Sequence, residues 1–236
     1  MTALLRYQTA ILLRSHRWIF PVIAYVLLIS VGAASTTPLA EGLDWSAAML
    51  VPAVAFLTRS MLIAEPDAAR ACVAAATGPA RAQLAALVTA LGAGVVLGLA
   101  GAGFTVLTGE SAVKQASSGV FSKIDATFAH PQVLTAGLAT ALVCLLVGSA
   151  AGTLCNPPLL RHPGAAMLAT LAAIILALAA NVSPASAALR RAGASPKTAS
   201  WPGGVPLLAA ACLLAVIWGA SLYAGARRDN RAPSAT

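Results

Sequence analysis

Six apolar stretches, each close to the length needed to cross a hydrocarbon core of ~30 Å, take up most of this 236-residue chain. Where water is absent, a backbone has to pair its own polar groups, and helices do so segment by segment. The pattern predicts an all-α integral membrane protein with six transmembrane helices, an N-terminal interfacial amphipathic helix and a short cytoplasmic helix between the second and third spans. We place the spans at about 18–34, 44–64, 80–107, 131–155, 165–180 and 204–226, in a single transmembrane domain covering 1–236. Asp44 is the expected N-cap of the second span, and Pro52 its expected kink.

Composition agrees. Charged residues make up 9% of the chain, and the mean hydropathy is +0.84, whereas soluble domains carry about 25% charged residues. The net charge of +8 would point to nucleic acid in a soluble protein. Here the excess of basic residues on one side of a membrane accounts for it, and no nucleic-acid partner is expected. The N-terminal arm carries Arg6, Arg14 and Arg17, while the first connection beyond the membrane, 35–43, has no lysine or arginine. Both termini are therefore expected in the cytoplasm of a multi-pass plasma-membrane protein, with a basic tail at 227–236.

Residues 2–17 read as a helix lying in the interface plane. Leu4, Leu5, Tyr7, Ile11 and Leu12 share one arc, and Arg6, Thr9, His16 and Arg17 fall opposite. No short apolar core with a small-residue cleavage site precedes the first span, so that span is read as permanent. Arg14 and Trp18 are candidate anchors at the membrane interface. Arg59 is a third, about one turn before the cytoplasmic end of the second span, where a long side chain can snorkel.

The spans hold few groups able to do chemistry. No carboxylate or histidine is expected near the midplane, where ion-coupled transporters place them. His16, His130 and His162 fall at span ends or in arms. Cys72, Cys144, Cys155 and Cys212 lack metal-ligand spacing and are expected to be small buried side chains. None of the three lysines follows a glycine, so there is no phosphate-binding loop of the GxxxxGK[ST] type. No catalytic residue, metal site or cofactor is expected, and any ATP hydrolysis belongs to another subunit. Two small-residue patterns, Gly94 to Gly98 and Gly148 to Gly152, are read as close helix crossings within the chain.

The segment at 65–78 stands apart. Glu65 and Asp67 lie at a helix start, where acids suit the dipole, and Pro66 fits the first helical position. Gly78-Pro79 is a stop signal. A tight helical hairpin needs only about 2–8 connecting residues, so a separately capped helix here suggests a docking surface. Between the third and fourth spans, 120–128 is expected as an amphipathic helix, and between the fifth and sixth, 184–192 as another short helix.

In this order of elements the chain resembles the permease subunits of type-2 ABC exporters, the class with six spans per subunit. The likeness covers essentially the whole length. Leu5-Arg6-Tyr7-Gln8 and Glu65-Pro66-Asp67-Ala68-Ala69-Arg70 look like the corresponding runs of small actinobacterial permeases of that class. The resemblance implies that the 65–78 segment is a cytoplasmic coupling helix, on which a separate ATP-binding subunit docks through Glu65, Asp67 and Arg70. It also implies a second permease subunit and a substrate path along their interface, in contact with membrane lipid. The cargo would be hydrophobic or amphipathic. The outer segments are compact, and no accessory partner is inferred there. The alternative reading is a membrane protein that transports nothing, an assembly factor or a sensor-like anchor.

Overall fold

The structure, a computed structural model, describes residues 2–34, 39–108, 131–154, 163–180, 183–193 and 204–229. Among the described residues there is no strand, and the chain is an all-α protein of membrane type. The helices are α1 (Thr2–Arg14), α2 (Ile19–Ala34), α3 (Leu39–Ala64), α4 (Asp67–Thr77), α5 (Pro79–Thr108), α6 (Pro131–Leu154), α7 (Pro163–Ala179), α8 (Pro184–Gly193) and α9 (Gly204–Asp229). Four of them, α5 to α8, open on a proline, whose missing N–H costs least in the first turn.

Five helical stretches are long and apolar enough to cross a membrane, and a sixth is reached when α1 and α2 count as one bent unit. α2 alone has 16 residues. The two helices meet at 71°, so α1 turns away from the direction of α2. α1 stops at Arg14, three residues before its expected end. The Ser15 N–H bonds back to the Ile11 carbonyl at 2.9 Å, and His16 takes a left-handed φ of 52°, which no continuing helix can accommodate.

The second span differs from expectation at its start. α3 begins at Leu39, so Asp44 is not an N-cap but lies, half-buried, in the second turn. Glu41 occupies the first turn instead, where its charge suits the helix dipole. α3 runs unbroken through Pro52 to Ala64. The amphipathic helix expected at 120–128 and Cys155 lie outside the described residues. Of the other cysteines only Cys144 is buried; Cys72 and Cys212 are exposed, contrary to expectation. Each sits on the outward arc of a helix rather than on a packed one.

α3 is the hub, packed most extensively on α6 and α5. α3 and α6 run parallel, since Gly137 meets Leu43, Gly148 meets Val51 and Gly152 meets Ala55. A Cβ added at Gly148 would sit 2.7 Å from the Val51 carbonyl oxygen, and one at Gly152 2.5 Å from that of Ala55. Backbone touches backbone at this crossing, which only glycine permits. α5 runs antiparallel to α3, with Gly94 on Val54 and Gly98 on Leu50. Both small-residue patterns are thus used inside the chain.

Two apolar clusters fill the space between these helices. One joins Tyr25, Leu50, Val54 and Leu145; the other joins Val51, Val143, Val147 and Ile174 with Ala185 and Ala188 of α8. The short helix α8 is therefore a packed part of the bundle, not a surface loop. The most apolar window of α3 is 61% buried but that of α9 only 17%. α9 and α7 thus form the rim, with Leu168, Ile175 and Val216 facing outward.

Candidate functional site: the corner at the end of α3

A helix of 26 residues ends with several carbonyls that have no partner along its own axis, and their partial negative charge attracts cations. Two arginines answer that charge at the end of α3. Arg70 of α4 donates from Nη2 to the Leu62 carbonyl at 2.6 Å, with a longer contact to the Glu65 carbonyl at 3.4 Å. Arg17, in the elbow between α1 and α2, donates to the Ile63 carbonyl at 3.4 Å. One helix end is held from two directions.

α4 forms inside the 65–78 segment, but it opens on Asp67, one residue later than the expected first helical position at Pro66. Pro66 precedes it, and Gly78 closes it with φ 88°, donating its N–H to the Ala74 carbonyl at 2.8 Å. A side chain is strained at that φ, so glycine is required there. Along α4, Ala69, Val73, Ala74 and Thr77 are half-buried, on the side that packs against α5. Ala68, Ala71, Cys72, Ala75 and Ala76 are exposed on the opposite arc. The result is a flat strip of small side chains on a helix fastened at both ends.

α1 reaches the same corner. The Tyr7 hydroxyl lies beside the Glu65 carboxylate, and its pKa is raised, first by partial burial and then by the nearby Glu65. Gln8, the next residue, is 1% exposed, and its Nε2 has no hydrogen-bond partner; nor has Oε1 of Glu65. Buried polar atoms of this kind are rare in folded proteins. Here a donor and an acceptor lacking partners lie on the elements that meet near Tyr7.

The expected docking residues separate. Glu65 and Arg70 come together at the end of α3, both turned toward the bundle rather than toward the exposed strip. Asp67 opens α4, and its side chain lies outside the described residues. The expected anchors also differ in their surroundings. Arg14 is exposed at the last residue of α1, and Trp18 is half-buried in the elbow with its indole N–H unpartnered.

Arg59 does not snorkel. It is 8% exposed and donates from Nη1 to Thr170 Oγ1 on α7 at 3.0 Å. Thr170, fully buried, donates in turn to the Ala166 carbonyl at 2.7 Å. Periodicity put Arg59 near a span end but could not reveal that α7 crosses there with a hydroxyl. Tyr7 and Arg17 were legible only as arc members of an amphipathic helix. Their partners at 63 and 65 are set by the elbow angle, for which the sequence carries no separate signal.

Elsewhere the buried hydroxyls mostly bond back within their own helices. Thr89, Thr105, Thr140 and Thr153 donate to carbonyls three or four residues earlier, which makes polar side chains tolerable among apolar neighbours. Thr58 is the exception, fully buried with no partner for Oγ1. Among the described residues, no group of three or more His, Cys, Asp or Glu could hold a metal ion. No protein-family model, curated protein or solved structure matches the chain.

Proposed function

We propose that this chain is the membrane-spanning permease subunit of an ATP-driven exporter, with a separate ATP-binding subunit docking on α4. The observation that carries this reading is the build of α4. It is a helix of 11 residues between two spans, closed at its C-terminus by Gly78. It is tied to α3 through Arg70 and packed on α5, and it shows its small-residue strip outward. A surface of that kind can receive a partner and pass displacement to two spans at once.

In this reading both termini and α4 face the cytoplasm, as the distribution of arginines favours. Closure of the ATPase partner on nucleotide presses on α4, and Arg70 and the Gly78-Pro79 joint deliver the push to α3 and α5. The bundle then shifts between two arrangements, a population shift set by the partner's differential contact with each. The apolar rim and back-bonded hydroxyls suit a hydrophobic or amphipathic cargo moving beside a second permease subunit.

The test is co-purification. Ala71→Arg and Ala75→Arg place bulk and charge on the exposed strip without touching the packed side of α4. They are expected to strip the nucleotide-binding subunit from the affinity-purified complex while membrane insertion stays normal. Should no ATPase accompany even the unaltered chain, the assembly-factor or anchor reading takes over.

A further inference from the structure

The arginines near this corner fall into two groups. Arg17, Arg59 and Arg70 bond to Ile63, Thr170, Leu62 and Glu65. Arg14 is different, because its guanidinium makes no hydrogen bond or ion pair among the described residues. It borders a groove of about 320 Å³ whose other walls are Tyr7, Ala10, Ile11 and Ser15. The groove is thus a cation and a hydroxyl at one end, two apolar side chains in the middle and a phenol ring at the other. Tyr7, at that far end, is the residue beside Glu65, and it lies close enough to Cys72 of α4 for their charges to interact.

We propose that this face of α1 seats one anionic phospholipid, with its phosphate on Arg14 and its glycerol and first methylenes on Ala10 and Ile11. The seated lipid presses Tyr7 onto the α3–α4 corner, so membrane charge sets how firmly α1 is docked there. Charge complementarity selects the occupant. An uncommitted guanidinium beside apolar side chains, on a helix turned 71° from the neighbouring span, matches a headgroup joined to an acyl chain better than a soluble anion. Arg6, also exposed on α1, does not border the groove and serves as a charge-matched control. The inference needs only the contact between α1 and the corner, so it is decided separately from the exporter reading, which co-purification decides.

The native Cys72 thiol reports the docking. In full-length chain with Cys155 and Cys212 replaced by serine, the rate of Cys72 modification by a water-soluble maleimide is measured at neutral pH. The protein is placed in vesicles of phosphatidylcholine alone, or of phosphatidylcholine mixed with phosphatidylglycerol. Phosphatidylglycerol is expected to slow modification about fivefold, the scale of one arginine's attraction to an anionic surface. Arg14→Gln should abolish that difference, Arg14→Lys should restore most of it, and Arg6→Gln should leave it in place. An equal loss in Arg6→Gln, or no loss in Arg14→Gln, would overturn the seat in favour of diffuse surface attraction. Equal protection by inorganic phosphate in phosphatidylcholine vesicles would also overturn it, because the groove would then take a free anion.

Discussion

Arg70 reaches eight residues back along the chain to bond the Leu62 carbonyl, at 2.6 Å. A surface residue of α4 thereby closes the exposed end of α3, and the two helices share one terminus electrostatically. Arg70→Ala should release α4 while leaving α3 folded. A cation at a helix C-terminus contributes about 0.3–1 kcal/mol when exposed, so global stability should fall by no more than that. The visible change is local: amide exchange across 67–77 is expected to rise well above that in α5. Equal exchange in the two would show that α5 packing alone holds α4.

The α3–α6 crossing predicts a ranking among glycines. Gly148→Ala and Gly152→Ala drive a methyl into the Val51 and Ala55 carbonyls, and overpacking of this kind costs about 1–3 kcal/mol. Gly92→Ala and Gly219→Ala meet nothing within 4 Å and should be neutral or slightly stabilising, since alanine is the better helix former. Thermal unfolding in detergent, followed by the monodisperse fraction, orders the four variants. A melting point for Gly152→Ala equal to that of Gly92→Ala would contradict the close crossing.

Arg59 and Thr170 join α3 to α7 across the bundle. Thr170→Val keeps the shape but removes the acceptor, and leaving a buried group short of a partner costs about 1–3 kcal/mol. Arg59→Met removes the charge along with its need for a partner, and it should be tolerated better than Thr170→Val. The double variant should then be no worse than Arg59→Met alone. Additive losses, read from melting temperatures, would mean that the two side chains act independently.

The Tyr7–Glu65 pair carries a pH signature. The proton is held more tightly in the docked protein than at the ordinary value of 10.0. The contribution to docking is therefore complete below pH 10.0 and lost as pH rises through the raised value. The difference in tyrosinate absorbance between the unaltered chain and Tyr7→Phe should show a midpoint above 10.0. Glu65→Gln should lower that midpoint only part of the way, because burial is the larger cause. A full return to 10.0 would reverse that order.

Much of the fold is legible along the chain because its punctuation is local. Pro79, Pro131, Pro163 and Pro184 open helices where a missing N–H is harmless, and Gly78 adopts the one conformation that suits glycine. What escapes sequence reading depends on angles between elements. Hydropathy places the second span at Asp44, but helix propensity and the dipole extend α3 back to Leu39. Arg70 belongs to a charged run and reads as a docking residue, whereas the turn at Glu65-Pro66 points it back at α3. Ala185 and Ala188 have no apolar signature strong enough to announce burial. Only the packing of α8 against α6 and α3 places them in the core.

The glycine seam between α3 and α6 limits how another copy of this chain can be met. Among the described residues, both GxxxG patterns are already consumed by internal neighbours, and the perimeter carries bulky aliphatic and aromatic knobs such as Phe20, Leu168 and Val216 beside the open Gly92 and Gly219. A second copy meeting this chain at those knobs would sit at wider helix separation than α3 and α6 do. Such a joint would be looser and more readily wetted by lipid.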